Sequence, residues 1–131
     1  GFLVAALALF PVTDDDEPDT IEDALAGARA MLAFYIGGMG AKGQNYHTKL
    51  AARMGLGEQA ERIQDLFLEG RGDEAVFEVP VEFADEISLV GTPERIADRV
   101  AAWKESAVTE ILVAAGSVDQ VRQAAEIILP V

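Results

Sequence analysis

The sequence predicts an α/β protein in which parallel strands alternate with helices, and three features point to it. Residues 87–115, ISLVGTPERIADRVAAWKESAVTEILVAA, read as strand, tight turn, amphipathic helix and second strand with almost no connecting residues. Residues 2–10, FLVAALALF, form another short apolar run. Each run is bounded by turn signals and followed by helical periodicity, which is the pattern of β/α units joined by crossover helices.

In the central unit, 87–90 is a short apolar strand that Gly91 ends, and Thr92 stands where an N-cap hydroxyl accepts from free helical N–H groups. Pro93 suits the first helical position, where a missing N–H costs nothing, and Glu94 complements the positive end of the helix dipole. Ile96, Val100, Trp103 and Ala107 recur at helical spacing and predict one buried stripe, with Trp103 in a structural role. Residues 111–115 are too short for a helix and predict a strand covered on both faces. Two strands joined in this way are parallel.

Going along the chain, 2–10 is read as a buried strand rather than a targeting segment, since no basic region or cleavage site frames it. It is too short to span a bilayer as a helix. The chain opens on Gly1, without a methionine, and reads as cut from something longer. The acidic run Asp14, Asp15, Asp16 and Glu17 is read as a solvated loop before a helix, and no metal site is expected. Ile21, Leu25, Ala28, Leu32, Tyr35 and Ile36 predict one long helix over 20–36. Then four glycines fall within seven residues, GGMGAKG. Such density means either close backbone approach to a ligand or a helix terminator followed by a turn. The segment is not a phosphate loop, because it lacks the G-K-[ST] ending and follows a helix.

Three shorter helices are expected next, with stripes at Tyr46, Leu50 and Met54, at Ala60, Ile63, Leu66 and Phe67, and from Asp73 toward Val79, where Pro80 stops the last. Residues 37–86 are thus a helical insertion within a single partial domain. His47, the sole histidine, is read as a solvated or capping residue in preference to an acid or base. Ser117 with Gln120 predicts a capping box for a last helix whose inner stripe is Val121, Ala124, Ala125 and Ile128.

Composition limits the function classes. The chain has 131 residues, half of them hydrophobic, enough for a core. A formal charge of −13 argues against nucleic-acid or membrane partners, which need clustered Lys and Arg. Without cysteine, neither disulfides nor thiolate chemistry is available, which suits a cytoplasmic location. Periodicity leaves an open doubly wound sheet and a closed (β/α)₈ barrel both open, and three strands are too few for either, so further strands are required.

FYIGGMGAKGQNY, IQDLFLEGR, SLVGTPERIADRVAAW and VTEILVA, in this order, resemble the C-terminal part of the luciferase-like monooxygenase family, and within it the coenzyme F420-dependent oxidoreductases. The VGTPE helix is common to the superfamily, and GGMG favours the F420 branch over FMN users. Ser106-Ala107 departs from the Ala-Gly common there. The resemblance implies the C-terminal segment of a (β/α)₈ (TIM) barrel, with 2–10, 87–90 and 111–115 as the sixth, seventh and eighth strands. It implies an oxidoreductase that transfers hydride between F420 and an organic substrate, or alternatively an FMN-dependent monooxygenase or a non-catalytic truncated half-barrel. Residues that act as acid or base in the family come from the first five strands, so no catalytic residue is assigned, and this segment alone is expected to be inactive.

Candidate cofactor- or substrate-binding residues are Gly37, Gly38, Met39, Gly40, Lys42, Asn45 and Tyr46 in the glycine-rich segment, and Gly91 and Thr92 at a βα turn. Lys42 is the cation for an anionic group there, Asn45 and Tyr46 are donors, and Thr92 opens a helix N-terminus. Expected partners are a small-molecule substrate, the missing N-terminal barrel half and, at full length, a second copy of the chain.

Overall fold

Strands β1 (Ala5–Leu9) and β2 (Glu110–Ala114) pair in parallel, with Ala5 opposite Glu110 and Leu9 opposite Ala114. The computed structural model describes residues 3–131, so Gly1 and Phe2, which opens the expected first strand, lie outside the described residues. The chain divides into two compact units, one made of the chain up to Leu25 with Asp85–Val131, the other of Ala26–Ala84.

In the first unit the strand expected over 87–90 is not formed, and only a few backbone bonds at 89–91 stand in its place. Leu89 N–H donates to Leu9 O at 2.9 Å, Gly91 N–H to Pro11 O at 3.2 Å, and Thr13 N–H to Gly91 O at 2.9 Å, leaving an isolated parallel bridge between Val12 and Gly91. Pro11 explains why no longer ladder forms. The bond that would join the two bonded positions needs an N–H at residue 11, and proline has none. On the other side, helix α6 (Val81–Glu86) keeps the chain turning until Ser88, whose N–H bonds Asp85 O at 3.1 Å.

The spatial order of these segments differs from their chain order. Along a parallel strand, successive residues direct their backbone groups to opposite edges. Val4 O accepts from Thr109 N–H at 2.8 Å and Glu110 N–H at 3.2 Å, so even-numbered residues of this strand face β2, whereas Leu9, Pro11 and Thr13 face 89–91. The order is therefore 89–91, β1, β2. Barrel strands taken in succession would place 87–90 in the middle. Here the Thr109 hydroxyl, which accepts from Val4 N–H at 2.8 Å, anchors β2 to the other edge of β1.

Side chains alternate accordingly. Ala8, Phe10, Ile111 and Val113 face helices α7 (Pro93–Lys104) and α8 (Val118–Ile128), meeting Ile96, Val100, Ala124 and Ile128 in one apolar core. Burying each Ile or Val there contributes about 1.5–3 kcal/mol. Trp103 is half-buried beside this core. The stripes predicted for α7 and α8 need two corrections: Ala107 lies past the helix end and is exposed, and Val121 is 58% exposed because α8 turns Ala124, Ile127 and Ile128 inward instead; the stripe of Tyr46, Leu50 and Met54 is likewise exposed. The opposite face of the sheet carries Leu3, Leu7 and Leu112, at 78%, 62% and 52% exposure.

The single helix expected over 20–36 is two helices, α1 (Pro18–Ala24) and α2 (Ala26–Ala33), continued by a π-helical turn Phe34–Gly38. The break at Leu25 falls where the chain passes from one unit to the other; Ile21 and Leu25 are buried in the first, and Ala33 joins the core of the second. Helices α3 (Tyr46–Ala51), α4 (Gly57–Leu68) and α5 (Gly72–Ala75) follow, and Pro80 precedes a further helix, α6, that the sequence reading had not separated. Ala33, Ile36, Ala51, Ala60, Ile63, Ala75 and Val79 form the second unit's core. Alanines at these crossings let helix backbones come close. Arg29, buried to 8% exposure, donates from Nε to Val79 O at 3.0 Å and from Nη2 to Phe77 O at 3.2 Å, and so ties the turn after α5 to α2.

Candidate functional site

The glycine-rich segment is built by close packing. A methyl at Gly37 would stand 2.5 Å from Phe67 Cδ2 and 2.8 Å from Ile63 O, and one at Gly38 would stand 2.8 Å from Phe34 Cδ2. These two glycines let the π-helical turn lie against α4. At Gly40 the added methyl would be in ordinary contact with Asn45, 3.4 Å away, so this position is less tightly constrained. Gly43 is the glycine of this segment with a left-handed backbone, φ 79°. Met39 and Tyr46 are 50% and 67% exposed.

Asn45 is the structural centre of the segment. Its amide donates to Tyr35 O at 3.1 Å and Ile36 O at 2.8 Å, closing carbonyls at the end of one helical run. Its carbonyl oxygen accepts from His47 N–H at 2.9 Å and Thr48 N–H at 3.4 Å, capping α3. At 2% exposure its side chain is spent within the fold. Lys42 Nζ lies 2.6 Å from Asp65 Oδ1, and that hydrogen bond first, then the carboxylate charge, raises the lysine's pKa. The His47 ring stands 5.1 Å from the Tyr35 ring and 5.6 Å from that of Tyr46. With Tyr35, Leu50, Met54 and Phe83 it lines a shallow apolar hollow of about 140 Å³.

The second locus is the turn at Gly91 and Thr92. Thr92 caps α7 as expected, its hydroxyl accepting from Arg95 N–H at 3.3 Å. The anion at this helix N-terminus is supplied by the chain. Asp16 reaches across 76 positions to accept from Thr92 N–H and from the Thr92 hydroxyl, each at 2.8 Å. The Thr92 backbone N–H, assisted by its hydroxyl and by Arg95, holds the Asp16 carboxyl below the usual carboxylate range, against a smaller opposing effect of burial. Gly91, with φ 121°, is required here, because a methyl would stand 2.7 Å from Asp16 Oδ1 and 2.6 Å from Arg95 Cδ. Arg95 also donates to Val90 O at 2.7 Å and grips Asp85 with both terminal nitrogens, at 3.0 and 2.7 Å. Asp85 raises the Arg95 pKa chiefly through these hydrogen bonds.

The sequence reading treats Asp16 as part of a solvated loop and assigns no role to Arg95, so neither function is legible there. The one signal for both was Gly91 ahead of Thr92-Pro93, a position where some group approaches the backbone closely. The predicted residues fall into two sets, Gly37 to Tyr46 in the second unit and Gly91 with Thr92 in the first. Among the described residues, no three His, Cys, Asp or Glu side chains converge as a metal-binding group, and no helix is long and apolar enough to cross a membrane.

Parallel strands, helices gathered on one sheet face and a long helical excursion between β/α units define the class of protein. The chain belongs to the luciferase-like monooxygenase family, which it matches over residues 3–110. It is 36% identical over 127 residues to the Mycobacterium tuberculosis protein named "Putative coenzyme F420-dependent oxidoreductase Rv3520c". That match takes in 97% of this chain and 35% of the relative, so the chain spans about a third of the relative's length. No solved structure matches it.

Proposed function

We propose that this chain is a wall segment of a (β/α)₈ barrel in an oxidoreductase that moves hydride between coenzyme F420 and a small organic substrate. The observation that carries the reading is the one-sided cover of the sheet. An open doubly wound sheet has helices on both faces, whereas a barrel keeps them outside and fills its interior with side chains from all its strands. Helices α7 and α8 share a core with one face, and the other presents Leu3, Leu7 and Leu112 uncovered. In a barrel these leucines point inward. The turns at 11–16, 91–92 and 115–117 then lie at the C-terminal ends of the strands, where barrel enzymes build their sites.

The relative's name supports F420 as the cofactor. The family's description as monooxygenases favours a second reading, in which the cofactor is FMN. When bound, F420 would supply hydride transfer in the first reading and reduced FMN would supply oxygen activation in the second, and the protein positions the group and excludes water. Several groups suited to an anionic cofactor tail are engaged within the chain: Lys42 is paired with Asp65, Arg95 and Arg99 with Asp85, and the N-terminus of α7 holds Asp16. No reaction step is assigned to the described residues, and their part is the apolar wall. Expressed from its full reading frame, the protein should bind F420 more tightly than FMN in a fluorescence titration. Tighter binding of FMN would select the second reading, and binding of neither would overturn both.

A further inference from the structure

A polar hollow of about 270 Å³ lies between α3 and α4, and every residue that lines it belongs to the second unit. We propose that it binds a free amino acid with a carboxamide side chain, a function that does not rest on the oxidoreductase reading. The floor of the hollow is the first observation. On α4 the buried stripe of Ala60 and Ile63 continues into Gln64, so a carboxamide stands where helical period calls for an apolar side chain. Gln64 is 3% exposed, yet among the described residues its side chain makes a single hydrogen bond, from Nε2 to Thr48 Oγ1 at 3.4 Å, longer than an ordinary N–H···O bond. The Thr48 hydroxyl donates its own proton to Ile36 O. Among the described residues, no side-chain polar atom sealed from solvent lacks a partner, so the Gln64 oxygen, which accepts from none of them, opens onto the hollow. Asn45 is the contrast: equally buried, it spends both ends of its amide within the fold. A buried amide left with an unused acceptor and an unused N–H costs stability unless a ligand completes it.

The rim supplies the charges. Lys49 on α3 and Glu61 on α4 line the hollow, and among the described residues neither forms an ion pair with the other or with a third group. Glu61 acts on Lys42 through its charge alone, while Lys42 is paired with Asp65. Two cations and two carboxylates leave no net local charge, which disfavours a phosphate or a dicarboxylate and suits a ligand with one charge of each sign. The carboxylate of such a ligand pairs with Lys49 and its ammonium with Glu61. A carboxamide on its side chain offers one donor and one acceptor, the complement of what Gln64 leaves unused. The volume falls below the roughly 300–1,000 Å³ of drug-sized pockets, so a single amino acid fits where a nucleotide does not.

The test uses the protein expressed from its full reading frame and L-glutamine as the probe, read by saturation-transfer NMR. Glutaramate, which lacks the ammonium group, and the decarboxylated amine, which lacks the carboxylate, should each bind about tenfold more weakly or worse. Gln64→Leu should weaken L-glutamine binding about tenfold while leaving the melting temperature equal or higher, since an unsatisfied amide gives way to an apolar group of similar size. A structural amide would lower the melting temperature instead. Lys49→Gln, at an exposed position, should cause a similar loss without touching the core. Absence of a saturable L-glutamine signal up to about 10 mM overturns the proposal. So does equal binding of glutaramate, which would make Lys49 a plain anion site, and so does binding that neither substitution weakens. Affinity for F420, measured on the same protein, bears on the oxidoreductase reading alone.

Discussion

Asn45 offers the sharpest test of whether the glycine-rich segment is packing or pocket. Replacing it with alanine removes an N-cap from α3, which costs about 1 kcal/mol, and two amide donations to Tyr35 O and Ile36 O, at about 1 kcal/mol each. Because the side chain is 2% exposed, water cannot freely replace these bonds. Asn45→Ala should therefore destabilise the chain by about 3 kcal/mol and lower its melting temperature by roughly 10 °C. Asn45→Asp separates the two halves of the role. The carboxylate keeps the capping acceptor but turns an oxygen toward two carbonyl oxygens, so at neutral pH it should be at least as damaging as alanine. Acidification should restore part of the loss, because a protonated carboxyl can donate to one of those carbonyls. Urea denaturation at several pH values, followed by circular dichroism, measures both effects. Unchanged denaturation midpoints together with lost cofactor or substrate affinity in the full reading frame would refute the structural assignment and return Asn45 to the binding site.

Other expectations follow from the same geometry. Gly37→Ala forces a methyl against the Ile63 carbonyl and the Phe67 ring and should cost about 1–3 kcal/mol, whereas Gly27→Ala in α2 enters open space and should be neutral or stabilising by up to about 1 kcal/mol; paired thermal melts compare them. The Asp16 carboxyl has a lowered pKa in the fold, so its contribution is complete above the unfolded value of about 3.9 and is lost as pH falls through the lower folded value. Asp16→Asn should accordingly flatten the acid limb of a stability profile measured from about pH 6 to about pH 2; an unchanged limb would show that the carboxylate does not hold the α7 N-terminus in solution.

Local signals were legible where a short stretch of chain contains its own physical cause. Thr92 followed by Pro93 marks a helix start because cap and first turn are neighbours in sequence, and the same holds for Ser117, whose hydroxyl accepts from Gln120 N–H at 3.2 Å. The apolar runs at 2–10 and 111–115 announced strands, though the described strands are Ala5–Leu9 and Glu110–Ala114. Alternation and helical period likewise announced parallel β/α units, since both derive from bond geometry repeated residue by residue. The family, too, was written in the order of its segments.

What only the tertiary structure decided depends on residues far apart in the chain. The purpose of the glycine at 37 lies in Phe67 and Ile63, 30 and 26 positions away, so composition offered a helix terminator or a ligand loop and did not announce close packing against α4. Asp16 looked like one of four solvated acids until Thr92, 76 positions on, gave it a helix terminus to cap. The order of the sheet was decided in the same way. The strand pattern specifies which face of β1 is apolar, but both its edges carry the same backbone groups, and that 89–91 lies on one edge and β2 on the other is visible only in the folded chain. Side-chain period is a property of the sequence, whereas edge occupancy belongs to the whole set of strands present, and that is why the sequence named the elements while the folded chain chose their neighbours.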